Sequence, residues 1–261
     1  MEHCYLQAFA ALNKTGMYSS AKGCMPWEEE QGGNPLNVRR KQVYDKLFTG
    51  FGKLNAPDKL AFSAASLIFS GFSEFDGDKT GITLGNTFGC LSTDLRYAES
   101  VGDGFPSPAL FAATLPSSPI ADIAIMFKLK GPDRTVADTT APGFLALENA
   151  IRILSCKKAE SMIAILVNGI EPNEVDMSFV NYIENECNFS YAFMLTSARC
   201  NTGLNYTISL EMDTKGDNNS QKRSEESYFV EMIDALMHNK EYSSPFEIDG
   251  TSGKVTLKKE D

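Results

Sequence analysis

Residues 134–158 read Arg-Thr-Val-Ala-Asp-Thr-Thr-Ala-Pro-Gly-Phe-Leu-Ala-Leu-Glu-Asn-Ala-Ile-Arg-Ile-Leu-Ser-Cys-Lys-Lys. Arg134 to Asp138 has the β-branched centre of a strand. Thr139 to Gly143 is a tight turn, with Pro142 suited to the first position of a helix. Phe144 to Lys158 carries apolar residues at three- and four-residue spacing, which predicts a helix with a buried stripe. Strand, turn and helix follow with no spacer. Ser161 to Val167 (Ser-Met-Ile-Ala-Ile-Leu-Val) then forms a continuous apolar strand. A strand apolar on both faces needs cover on both, as in the middle of a mixed or parallel sheet, so the pattern predicts α/β layering.

Upstream, Thr80 to Gly85 predicts a buried strand running through Gly85-Asn-Thr-Phe-Gly89 into a helix over 92–101. Lys59 to Phe72 reads as a helix with Pro57 and Asp58 in its first turn, and Ile120, Ile123, Ala124 and Phe127 mark another, stopped at Gly131-Pro132. Residues 5–13 predict a first strand, and the glycine- and proline-rich Thr15 to Pro35 a long loop. Downstream of Pro172, Tyr191 to Ala198 and Leu204 to Met212 alternate as an antiparallel hairpin across Arg199 to Gly203. Asp213 to Arg223 reads as a polar loop. Ser224-Glu225-Glu226 reads as an N-cap with acids in the first turn of a helix to Met237, and Phe246 to Leu257 as a small hairpin. With no repeat or linker, the expectation is one domain over 1–261, residues 213–261 forming a C-terminal extension that caps the core.

The chain has 261 residues, 43% hydrophobic and 22% charged, enough for a sizeable core. Its 34 acidic and 24 basic residues give a net charge of -10, which argues against nucleic acid as a partner. No apolar run approaches the roughly 20 residues that span a bilayer, and the first residues lack a basic and apolar export signal, so a cytoplasmic protein with no membrane span is expected. Cys4, Cys24, Cys90, Cys156, Cys187 and Cys200 form no Cys-x-x-Cys pair and are expected as free thiols, with no metal bound. Gly85 and Gly89 fit neither a P-loop nor a dinucleotide fingerprint; tight strand-to-helix turning accounts for them and no cofactor is expected.

The ordered set Gly81-Ile-Thr-Leu-Gly-Asn-Thr-Phe-Gly89, Pro106 to Pro119, Lys130-Gly-Pro132, Thr135 to Leu147 and Ala164 to Glu171 resembles the N-terminal half of β-ketoacyl synthases, the condensing-enzyme branch of the thiolase fold. The resemblance spans residues 55–212 and implies an α/β fold: a thiolase-like half, one α/β/α unit with a mixed, mostly parallel five-stranded sheet, followed by a C-terminal hairpin and helix. In that family a nucleophilic cysteine sits where the helix follows the turn. The helix dipole and backbone N–H groups there favour a thiolate and a developing oxyanion. The resemblance puts Thr140 at the nucleophile position and Ala141 and Gly143 at the oxyanion-binding helix start. An alcohol needs an adjacent base to attack a thioester. The family's two histidines come from its second half, whereas this chain has only His3 and His238.

Loss of ordinary condensation is therefore expected. Thr139 and Thr140 read as hydroxyl caps of the following helix, Cys90 and Cys156 as inert thiols and His238 as a partner of a helix C-terminus; Asp122, Asp138 and Glu171 show no catalytic pairing. The resemblance further implies that Arg134, Val136 and Asp138 lie on an interface strand and that Pro108, Phe111 and Thr114 approach an acyl tunnel. The implied role is a chain-length-factor-like accessory subunit of bacterial fatty-acid, polyketide or aryl polyene biosynthesis, paired with an active ketosynthase or with itself and meeting an acyl carrier protein. Alternatives are an acyl-carrier-protein-processing enzyme (3-oxoacyl synthase, acyltransferase or thioesterase) with a non-standard nucleophile, and a homodimeric scaffold without acyl ligand.

Overall fold

The computed structural model describes residues 3–138, 140–171, 188–199, 204–213, 223–248 and 250–260. Its strands are β1 (His3–Asn13), β2 (Gly16–Ser19), β3 (Gly23–Met25), β4 (Thr80–Asn86), β5 (Asp133–Ala137), β6 (Ser161–Asn168), β7 (Phe189–Thr196), β8 (Tyr206–Asp213), β9 (Tyr242–Ile248) and β10 (Thr251–Lys259). The helices are α1 (Arg40–Val43), α2 (Ala56–Phe69), α3 (Leu91–Gly102), α4 (Pro108–Ala112), α5 (Ser118–Phe127), α6 (Pro142–Ser155) and α7 (Glu225–Met237).

Among the described residues the strands form one sheet in the order β5-β4-β6-β7-β1-β8-β10-β9, with β2 and β3 continuing from the far half of β1. β4 lies between β5 and β6, parallel to both, and β7 runs antiparallel to β6 and β1. Four of these five strands therefore point one way, the mixed and mostly parallel core expected of a thiolase-like half. The sheet continues past β1 with β8 and the β10–β9 hairpin, so it is wider than the sequence pattern indicated.

Alternation of side chains along the central strands sets the two layers. Ile163, Ile165 and Val167 of β6 face α2 and α5, where Leu60, Phe62, Leu67, Ile120 and Ile123 are buried. Met162, Ala164 and Leu166 face the other side, where Phe144, Leu147, Ile151 and Leu154 of α6 meet Tyr228, Phe229, Met232 and Ile233 of α7. Phe144 stacks on Phe246 of β9 at 3.9 Å between ring centroids. The α2 start follows its sequence signal: Asn55 Oδ1 accepts the Asp58 N–H at 2.9 Å and Pro57 sits in the first turn.

Two expectations are corrected. The stretch after Asn13 is not a loop throughout but turns back as β2 and β3, using Gly16 at φ +154° where a Cβ would meet the Met25 carbonyl at 2.9 Å. β7 and β8 are not a hairpin: β1 inserts between them and pairs with both. The turn assigned to Arg199 to Gly203 lies outside the described residues from Cys200 onward, as do Thr139, Cys187 and most of the 213–223 segment.

Candidate functional site

The parallel strands β4, β5 and β6 end together, and in open α/β sheets ligands gather beyond the carboxyl ends of such strands. Asn86 closes β4 by accepting the Phe88 and Gly89 N–H groups on its Oδ1, both at 2.9 Å. Asn168 closes β6 by accepting the Thr87 N–H at 3.0 Å, and its amide donates to Thr87 Oγ1 at 3.2 Å. Between them the chain leaves β5 through Asp138 and Thr140 and enters α6.

That elbow lies directly on the sheet because two glycines allow it. A Cβ on Gly85 would lie 2.1 Å from the Pro142 carbonyl oxygen, and one on Gly143 would lie 2.9 Å from Leu166 Cβ. The first turn of α6 thus rests against β4 and β6. Thr140 donates its N–H to Asp138 Oδ1 at 2.6 Å, and this contact, through both the hydroxyl and the N–H of Thr140, holds the Asp138 carboxyl below its usual range. Ala141, fully buried, is the N-cap residue, and no side chain of its own caps the helix.

The cap comes from far along the chain. Glu225, the first residue of α7, accepts the Gly143 N–H on Oε2 at 3.1 Å and the Phe144 N–H on Oε1 at 2.7 Å. It is 9% exposed, and burial pushes its carboxyl up to about 8, against the opposing pull of those two N–H donors and with a further upward push from the Asp138 charge. The Glu225 carboxyl, not the Thr140 hydroxyl, therefore caps the helix, and of the two expected oxyanion donors the Gly143 N–H is already engaged, with the Phe144 N–H beside it. In the sequence Glu225 belongs to the first turn of its own helix, and nothing local signals its reach across 82 positions to α6.

The other expected residues divide into two places. Arg134, Val136 and Asp138 lie on or just past β5, which pairs with β4 on one side and is the edge of the sheet on the other. Pro108 and Phe111 belong to the short surface helix α4, where Phe111 is 60% exposed and 5.4 Å from the Tyr97 ring; Thr114 follows and donates to the Phe111 carbonyl at 2.8 Å. The segment leading into α5 then rests on the start of α3, where Sγ of Cys90, the N-cap residue, lies 3.3 Å from the Leu115 carbonyl.

No histidine serves the elbow. His3 shares a surface cavity with Leu154 and Ser155 at the far end of α6, a helix about 20 Å long at 1.5 Å per residue. His238 follows the last residue of α7, at the opposite end from Glu225, and meets the Asp234 carbonyl at 2.9 Å and its carboxylate at 3.1 Å. Cys156 is exposed just past α6. Cys90 is 1% exposed and burial pushes its thiol up to about 12. A second buried acid, Asp58, accepts Ser118 Oγ at 2.7 Å; burial, together with the charges of Asp122 and Glu171, pushes it up to about 7.

Strand order, elbow and layering define the class as a mixed α/β fold with a thiolase-like half. The structural likenesses are to the ishigamide ketosynthase/chain length factor, with a TM-score of 0.72 and 12% identity over 100% of both chains; to the ketosynthase ApeO in complex with its chain length factor ApeC from Xenorhabdus doucetiae, at 0.67 and 11% over 97% of this chain and 98% of that one; and to a type II PKS complex of acyl-carrier protein with its ketosynthase, AntDE:AntF, at 0.65 and 9% over 99% of each. At these identities the likeness is one of fold. No family model and no curated protein matches the sequence. Among the described residues no helix is long and apolar enough to cross a membrane.

Proposed function

We propose that this chain is a chain-length-factor-like accessory subunit that has lost condensing chemistry and works by binding. The observation that carries this reading is the Glu225 carboxyl group on the Gly143 and Phe144 N–H groups, which fills the helix start where a condensing enzyme would stabilise its oxyanion. The absence of a histidine near Thr140 and the depressed Asp138 carboxyl, a weak base, support it. So does the fold, shared over the full chain with components of ketosynthase and chain length factor complexes.

The partner in this reading is an active ketosynthase, with an acyl carrier protein visiting the pair. β5 is the docking edge: among the described residues no strand pairs with its outer side, and the strand carries no proline to prevent pairing. The edge at the other end, β9, contains Pro245 and is less suited to pairing. Size-exclusion chromatography with light scattering, on the chain alone and mixed with an active ketosynthase of the type II class, tests the proposal. A stable one-to-one complex weakened at least tenfold by Val136→Lys is expected. A monodisperse monomer in both samples contradicts it.

A further inference from the structure

We propose that Glu225 is a proton-operated latch that fastens the start of α7 to the first turn of α6, so that its protonation sets how firmly the C-terminal helix and hairpin dock on the elbow. This concerns the fold of the chain itself and stands whether or not the accessory-subunit reading holds.

The geometry is that of a latch because one side chain closes two long-range bonds to adjacent backbone groups, 3.1 Å to Gly143 and 2.7 Å to Phe144, with no closer cap available on α6. What it fastens extends beyond α7. Phe144, whose N–H it accepts, packs on Phe229 at 5.2 Å and stacks on Phe246 of β9 at 3.9 Å, so the helix start, α7 and the hairpin meet at one residue. The backbone donors and the α6 dipole favour a charged carboxylate, while burial favours a neutral one.

From the elbow, Asp138 raises the Glu225 carboxyl. On α7, Glu226 accepts the Tyr191 hydroxyl of β7 at 3.0 Å, and that hydroxyl in turn accepts the Asn13 amide of β1 at 3.3 Å. Arg223, just before α7, lies 4.4 Å over the Tyr228 ring and is engaged with Glu231. On α6 the nearest ionised pair is Glu148 with Arg152, beyond the first turn. β9 contributes Tyr242, whose hydroxyl donates to Glu231 at 2.9 Å.

The sign follows from the two states. Docked, the carboxyl titrates at about 8; undocked, it returns towards the ordinary 4.5. Docking therefore takes up a proton between these values, and the docked state is weakened as pH rises through that window by up to about tenfold per pH unit, becoming level above it.

Nitrogen-proton correlation spectra of the full chain across pH 5 to 9, with hydrogen exchange at the same amides, test the latch. In the natural protein the Gly143 and Phe144 amides are expected to titrate together well above the ordinary glutamate range, and their protection, corrected for intrinsic exchange, to fall with pH. Glu225→Gln removes the titration and flattens the protection; Asp58→Asn leaves both unchanged. Amides in the natural protein that do not titrate in this range overturn the proposal without any variant. An unchanged pH profile in Glu225→Gln overturns it equally.

Discussion

Replacing Gly85 with alanine tests how tightly the elbow is built. An ordinary Cβ contact begins at 3.4 Å, and the added methyl would sit 2.1 Å from the Pro142 oxygen, 2.3 Å from its carbonyl carbon and 2.7 Å from Gly143 N. All three are backbone atoms, so no rotamer change relieves the clash and α6 must retreat by about 1.3 Å. A shift of that size strains or breaks the 2.7 Å bond from the Phe144 N–H to Glu225. Overpacking costs about 1–3 kcal/mol and a buried hydrogen-bonding group left unpaired about 1–3 kcal/mol. Gly85→Ala should therefore lose roughly 3–5 kcal/mol, a large part of the ~5–15 kcal/mol by which domains are held folded. Gly52, whose Cβ would meet nothing within 4 Å, provides the control, expected within about 0.5 kcal/mol of the natural protein. Urea titrations followed by fluorescence and circular dichroism give both numbers. A Gly85→Ala protein within about 1 kcal/mol of the natural one, with the Gly143 and Phe144 amides unmoved, would refute the packing argument.

The buried acids make the whole protein sensitive to pH. Asp58 titrates at about 7 folded and near 3.8 unfolded, so the folded state holds the extra proton and stability falls as pH rises from about 4 to 7, by at most about 1.4 kcal/mol per unit. Asp58→Asn should flatten that part of a melting-temperature profile, whereas a profile unchanged by the substitution contradicts the assignment. Thiol accessibility should divide the described cysteines: Cys24 and Cys156, both exposed, react with a disulfide reagent at pH 7.5 within minutes in the native state, while Cys4 and Cys90 react only on unfolding. Rapid native labelling of Cys90 would contradict its burial. Truncating Phe144 to alanine removes the ring against which Phe229 and Phe246 pack and should cost about 3–5 kcal/mol, read from the same urea titrations.

Much of the fold was legible because its signals are local. The apolar residues of α6 recur at helical spacing and those of β6 run without a break, so each element and its place in the middle of the sheet follow from composition and period. Where the reading failed, the deciding contact was distant. The alternation of β7 and β8 suits a hairpin, but each strand finds β1, which lies almost two hundred positions earlier in the chain. Glycines at 16 and 23 look like loop residues, yet they allow the backbone to reverse into β2 and β3. The elbow itself was readable as strand, turn and helix. Its cap was not, because an acid in the first turn of α7 is ordinary dipole chemistry until the fold brings it against α6.

Intact-protein mass spectrometry tests the central claim most directly, after incubation with malonyl- and acyl-loaded carrier protein and alongside Thr140→Cys and Thr140→Ala. The account predicts no covalent adduct on the natural protein. An acyl adduct that disappears in Thr140→Ala would contradict it and make this chain an enzyme.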